Sequence, residues 1–385
     1  MFLPALVFMG IAAGGWVYLR RMNQTKAKFA QFILDNPETT AIVAATFDAQ
    51  GEWVTGDAAM FYNADHPLLL ASTMKIVVLA AYANAVAKGD LDPNRRVPVA
   101  DWEAYYLPNT DGGAHGLSLK SMRLKAKTNG FAENPAATVS FDDLARVMIH
   151  YSENASTDYL IAHLGEETIA GVMQKIGLAT HTPISLTLGP ALAGFNHENP
   201  SFSLEYLRDL TGDNSQAKLN RLVTLYRDDP DWRAAQIAFM FAMNLTALSG
   251  ETGWAYQEMV SQLFSKGTAR EYAKMMGKIA SGTLISPEVS TIIQKKLETV
   301  LSDGPLRALF FRRFGAKDGT TAGVLTMASY AVPKRGPLRG QSRAVVLLAN
   351  QMPPTIWAEQ VQGQGHYLLP LDLAQATGLW GKLNE

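Results

Sequence analysis

The sequence contains no cysteine. That excludes disulfides, thiolate nucleophiles, cysteine-ligated zinc and iron–sulfur clusters. It also has no excess of charge of either sign: 34 Lys and Arg stand against 35 Asp and Glu, a formal net charge of −1. A nucleic-acid partner is therefore not expected, because phosphate backbones select basic surfaces. The seven histidines form neither H-E-x-x-H nor H-x-H spacing, so no metal site is expected. There is no G-x-x-x-x-G-K-[ST] loop and no G-x-S-x-G elbow, and Gly363-Gln364-Gly365 lacks the third glycine of a dinucleotide fingerprint. No cofactor is expected. Internal repeats and low-complexity tracts are also missing.

What is present is a chain of 385 residues, 48% hydrophobic and 18% charged. That is a packed globular composition with enough length for more than one structural lobe. No charged side chain occurs from Met1 to Leu19, and then Arg20 and Arg21 follow. An apolar run of that length lies at the lower edge of a spanning helix. Residues 1–21 read as a signal or anchor segment, implying a periplasmic protein, secreted or tethered to the inner membrane. The cationic pair follows the apolar run instead of preceding it, which leaves the orientation open. Residues 22–36 read as a polar helical connector.

Downstream, Thr39–Phe47 is β-branched and apolar, a strand, and Asp48–Gly51 turns it into a return strand. Ser72–Lys88 is apolar and Ala-rich without a breaker, a buried helix. Residues 107–137 read as a long surface loop. Ser140 is an N-cap for a helix ending near His150, and further helices fit Thr157–Leu164 and Glu167–Ile176. Residues 178–215 read as irregular, and 216–265 as mostly helical. Helices at Thr268–Ile279 and Pro287–Leu301 precede three strands at Ala316–Gly319, Val324–Ala331 and Arg343–Asn350. The basic residues Lys334, Arg335, Arg339 and Arg343 read as a solvated hairpin, and residues 370–380 as a short closing helix. Strands at both ends of a helical middle give an α/β (α+β) fold: an antiparallel sheet with flanking helices from both chain ends and an inserted all-α lobe.

Three short segments carry chemistry. In Ser72-Thr73-Met74-Lys75, positions i and i+3 share a helix face, so a hydroxyl and an amine can meet. A serine needs a base to become a nucleophile, and lysine serves if burial and nearby positive charge lower its pKa. In Ser152-Glu153-Asn154, a hydroxyl and a carboxamide two apart on an interhelix loop can project into one cleft. In Lys317-Asp318-Gly319-Thr320, a lysine on a strand can fix an anion, and the glycine permits close backbone approach. Each segment alone is commonplace as a cap, turn or strand end. Their joint order is not.

S-x-x-K, S-x-N and K-x-G in this order resemble the penicillin-recognising active-site serine hydrolase superfamily of β-lactamases and D,D-peptidases, and class A β-lactamases most closely. The stretch Asn63–Lys75 resembles the approach to the family's serine. Gly267–Met276, with Gly282 and Leu284–Pro287, resembles the helix before its K-x-G strand. The resemblance implies that Ser72 is acylated, with Lys75 as its base directly or through Ser152, which passes a proton to the leaving nitrogen. Asn154 would bond the acyl side chain and Lys75. Lys317 would hold Lys75 partly neutral and orient a substrate anion, with Gly319 and Thr320 beside it. The backbone N–H groups of Ser72 and Thr320 would form the oxyanion hole, and Tyr106 would stand in the cleft wall. A β-lactam or a peptidoglycan-type peptide is the implied small-molecule partner, for a monomeric enzyme. The catalytic unit would span 37–385. Its α/β lobe comprises about 37–71 and 267–385, and its all-α lobe about 72–266 with insertions at 110–137 and 189–266.

Two departures stand against the family pattern. The glutamate of an E-x-x-L-N loop, which activates the deacylating water, has no counterpart in Thr182–Pro190; Glu198 is the nearest candidate. Asp318 replaces the usual Thr or Ser, and an aspartate repels a carboxylate at contact distance. A D,D-peptidase or esterase with slow β-lactam deacylation, and a non-catalytic envelope-anchored binding protein, are the alternative readings.

Overall fold

The computed structural model describes residues 22–54, 59–299 and 305–376. The signal or anchor reading of Met1–Leu19 lies outside the described residues. No helix among those described is long and apolar enough to cross a membrane.

The sheet is built from the ends of the chain. Strands β1 (Thr40–Phe47), β2 (Trp53–Val54) and β3 (Met60–Tyr62) come from the N-terminal part. After the short β4 (Leu68–Leu69), β5 (Arg96–Pro98), β6 (Thr138–Ser140) and β7 (Lys266–Gly267), the C-terminal part adds β8 (Phe311–Thr321), β9 (Val324–Pro333) and β10 (Ser342–Ala349). The order is β2-β1-β10-β9-β8, with β3 also on β1, and every pairing is antiparallel. Strands β8 and β9 run longer than their sequence suggests, and Phe311 and Phe314 carry β8 into the core, while β10 keeps its expected length, shifted by one residue.

Both faces of this sheet are buried, which explains the unbroken apolar run of β10. Successive strand side chains point to opposite faces. Ala344, Val346 and Leu348 enter the core shared with the helices, and Val345, Leu347 and Ala349 enter a second core on the outer face. Residues 22–35 form helix α1, and it buries Phe29, Ala30, Phe32 and Ile33 in that outer core. The segment read as a connector is thus a layer of the fold.

The helical middle opens with α2 (Lys75–Lys88), buried from Lys75 through Ala85 and ended by Gly89 in the left-handed region. A helix apolar all round belongs at the centre of a lobe. Around it lie α3 (Val99–Glu103), α4 (Ala114–Ser121), α5 (Phe141–His150), α6 (Asn154–Leu164) and α7 (Glu166–Ile176). The Ser140 cap of α5 is a full capping box with Asp143. Helix α4 interrupts the segment expected as a loop. Likewise α8 (Leu188–Gly194) and α9 (Leu204–Thr211) occupy the stretch read as irregular, since Gly189, Pro190 and Gly194 hid the helical pattern of α8. Helices α10 (Ser215–Asp228), α11 (Pro230–Ala242) and α12 (Gly250–Ser261) follow. Then α13 (Ala269–Ser281) and α14 (Pro287–Leu297) return the chain to the sheet. The chain finishes with α15 (Pro305–Phe310), α16 (Pro354–Gly363) and α17 (Gly365–Gln375). Arg343, read as part of a solvated hairpin, is buried in β10, where its Nε donates to Leu373 O of α17 at 2.9 Å.

Phe29 is fully buried against the sheet, so Phe29→Ala should cost roughly 3–5 kcal/mol, as core Phe truncations do. Urea denaturation checks this: a change near zero would make α1 a tether and not a layer.

Candidate active site

The site forms where β8, the edge strand, passes the first turn of the central helix. Ser72 sits in a 3-10 turn, Ala71–Met74, that runs directly into α2. Ala71 holds φ at +46°, a left-handed conformation unusual for a residue with a side chain. The approach of β8 is close enough to require glycine. A Cβ on Gly319 would stand 2.6 Å from Leu70 O, 2.8 Å from Ser72 N and 2.4 Å from Thr326 Oγ1. Ser72, Ser152, Asn154, Asp318 and Thr320 line one cleft of about 430 Å³.

Lys75 is fully buried beneath that cleft. Its amine reaches Ser152 O at 2.5 Å, Asn154 Oδ1 at 2.7 Å and Ser152 Oγ at 3.3 Å. None of these bonds goes to Ser72. Burial pushes the Lys75 pKa down to about 7, and the charge of Lys317 adds to the effect. Glu153, Asp158 and Asp318 oppose it. The amine therefore holds its proton weakly at neutral pH. Two of its partners only accept, whereas Ser152 Oγ can donate to the free lone pair of a neutral amine.

The S-x-N loop is held from behind. Ser152 has φ of +62°. Glu153, fully buried, caps α6 by accepting from Ala155 N at Oε1 and Ser156 N at Oε2, and Trp102 Nε1 also donates to Oε2 at 3.1 Å. His115 bridges Glu153 and Glu103, with 3.1 Å at each ring nitrogen. Burial disfavours the His115 charge, but the two carboxylates outweigh it and raise its pKa to about 9. Against burial, the same bonds keep the Glu153 carboxyl below its ordinary value. Tyr106 stacks on this imidazole, ring centroids 3.9 Å apart. Its ring faces the buried cluster; it does not line the wall of the cleft that holds Ser72, only a small adjoining cavity shared with Asn154 and Thr187. Thr110, Asp111 and Gly112 hold that wall.

Lys317 is also placed differently from expectation. Its side chain is 1% exposed and donates to Asp318 O at 2.7 Å and Asp318 Oδ1 at 3.1 Å. It reaches Lys75 through its charge, and it presents no ammonium to the cleft.

The other insertion supplies the facing wall. Ala191 and Phe195 from the α8 region and Tyr256, Gln257 and Val260 of α12 line the cleft. Tyr256 OH donates to Gly194 O at 3.0 Å, locking α12 to α8. Thr187 occupies the cleft where a water-activating carboxylate was sought. Behind it, Asp158 accepts from Thr187 N, Thr187 Oγ1 and Leu188 N at 2.7 to 2.9 Å. Burial raises the Asp158 pKa to about 7 against those three bonds. Glu198 accepts from Trp232 Nε1 and lies away from the cleft lining, which removes it as the water base. Asp158 was legible as the residue one helical turn after Asn154; nothing local in the sequence marks His115 or Glu103.

The profile of the Beta-lactamase enzyme family matches residues 25–326. No curated protein matches the chain. Among solved structures, a point variant of PBP-A in an acyl-enzyme complex with penicillin-G aligns at a TM-score of 0.52 and 16% identity, covering 93% of this chain and 97% of that one. A second structure of PBP-A aligns at 0.51 and 15% identity, covering 93% and 96%. A β-lactamase from Sphaerobacter thermophilus DSM 20745 aligns at 0.50 and 16% identity, covering 88% and 91%. At these identities the likeness is one of fold.

Because the His115 pKa is raised on folding, its stabilisation is complete below about pH 6.5, the unfolded value, and is lost as pH rises through about 9. Melting temperatures between pH 6 and 10 should fall across that window for wild type and lack the step in His115→Gln. A wild-type curve flat across the window would contradict the buried imidazolium.

Proposed function

The chain belongs to the beta-lactamase enzyme family, and on that premise we propose that it is a class A-like serine hydrolase. It forms an acyl-enzyme at Ser72 and opens the amide of a β-lactam or a related peptide-like substrate. The observation that carries this reading is the buried Lys75 amine, poised near neutrality and bonded to both functional side chains of the S-x-N loop.

Ser72 Oγ attacks the carbonyl carbon. Its proton passes to the Lys75 amine by way of Ser152, whose hydroxyl shares the cleft with Ser72 and contacts Nζ. The backbone N–H groups of Ser72 and Thr320 receive the developing oxyanion where β8 packs against the turn, supplying fixed donors that need no reorganisation. As the C–N bond breaks, Ser152 returns the proton to the leaving nitrogen, leaving an ester on Ser72. Asn154 keeps Lys75 and the acyl chain aligned.

Hydrolysis of that ester is the slow half. The cleft offers Thr187 where a carboxylate would activate water, and the carboxyl behind it already accepts three hydrogen bonds. This favours a penicillin-binding enzyme of peptidase or esterase character over a fast β-lactamase. The uncharged run Met1–Leu19 supports an extracytoplasmic, membrane-tethered setting for it.

Incubation with a fluorescent penicillin followed by intact-mass measurement should give one persistent adduct, absent in Ser72→Ala, with little turnover of a chromogenic cephalosporin. Rapid turnover would restore the β-lactamase reading. No adduct, together with small-ester hydrolysis indistinguishable from Ser72→Ala, would sink acyl-serine chemistry. The acylation rate should rise with pH through an ionisation near 7, the Lys75 value, because the neutral amine is the base. A profile without an inflection between pH 6 and 8 would separate Lys75 from that role.

A further inference from the structure

Acyl-serine chemistry leaves the identity of the acyl donor open, and the Lys317 end of the cleft bears on it. Lys317 is the cation expected to receive an anionic substrate group, yet its side chain is 1% exposed while that of Asp318 is 28% exposed. The ammonium is turned onto the Asp318 carbonyl and carboxylate. What this end shows to a ligand is therefore an acceptor.

The carboxylate is fixed from several sides. Tyr367 of α17 donates its hydroxyl to Asp318, and His366 lies close enough to act on its charge. Burial opposes ionisation, but Lys317 and Tyr367 hold the Asp318 pKa down at about 2. It is charged throughout the working range. The rest of the cleft does not compensate. Among the described residues its only other charged lining group is Asp111, which accepts from Gly113 N and His115 N, and no Lys or Arg lines it. Arg307 lines an adjoining cavity of about 230 Å³, but Asp318 forms part of that wall too. An anion drawn towards Arg307 also faces Asp318.

We propose that Asp318 is the specificity-determining residue of this site and selects acyl donors whose end beside Lys317 is a hydrogen-bond donor, a carboxamide or an amine, over those ending in a free carboxylate. This rests on the acyl-serine reading of Ser72. Like charges brought together in a cleft are disfavoured, whereas a carboxamide N–H₂ or an ammonium gives the aspartate the donor its exposed face lacks. The serine or threonine usual at this position can donate to a carboxylate; an aspartate with its charge intact cannot.

The test compares penicillin G with its own carboxamide, identical elsewhere, by the rate of adduct formation in intact-mass time courses. Wild type should acylate about tenfold faster or more with the carboxamide. Asp318→Thr should reverse the order, and the isosteric Asp318→Asn should reduce the preference even if the threonine variant folds poorly. Thermal melts establish that each variant is folded. Equal rates, or faster reaction with penicillin G, in wild type would overturn the proposal, as would a ratio unchanged in both variants. Absence of any adduct from either compound overturns it as well. Ser72-dependent hydrolysis of p-nitrophenyl acetate then reports separately whether the acyl-serine reading survives.

Discussion

An amine at the first position of a helix that is buried on every side must find acceptors or lose its proton. The surroundings of Lys75 can be understood from that condition. Burying an ammonium without partners is costly enough that such groups neutralise instead. Here the acceptors come from one loop, Ser152–Asn154, which must curl into a left-handed conformation at Ser152 to bring its carbonyl and two side chains to the same point. That conformation is in turn anchored by a buried glutamate, an imidazole and a second glutamate. The second cation, Lys317, then biases the amine towards neutrality without touching it. Each layer makes sense as the support of the one in front of it.

The helices from α8 to α12 are where this chain departs most from the part that its motifs explain. They are fastened to the rest of the helical lobe by backbone carbonyls: Tyr226 donates to Tyr106 O, Arg233 to Glu103 O, and Asn109 to Met240 O. Those contacts grip the same segment that carries the buried Glu103 and His115 cluster. The roof of the cleft and the support of its S-x-N loop are consequently one packed body.

Much of this was legible from residue patterns. The order of S-x-x-K, S-x-N and K-x-G located the cleft serine, the buried amine and the strand edge, because each depends on local spacing. The two-faced sheet could be inferred from the unbroken apolar run of β10. Other features depend on contacts distant in the chain. Tyr106 looked like a cleft residue until its ring was found against His115, and Arg343 looked solvated until α17 was seen to cover it. Lys317 was assigned to a ligand because sequence spacing cannot say which way a long side chain turns. Helices α4, α8 and α9 escaped because glycine and proline within or beside short helices mask their periodicity.

Helix α1 has a consequence for how the molecule comes into being. It is clasped by the last helices: Lys26 pairs with Asp372, Lys28 with Glu359, and Gln360 donates to Thr25 O. Strand β1 meanwhile pairs with β10 along its whole length. During synthesis β1, apolar on both faces, gains β2 and β3 early on one edge, but its other edge waits for a partner some three hundred residues later. Its outer face has only α1 to pack on, and that layer is completed once the helix ending at Gln375 has left the ribosome. Helix α1 and strand β1 are thus among the last described elements to be fully protected, and their exposure in the meantime is the interval in which holding by a chaperone would matter most.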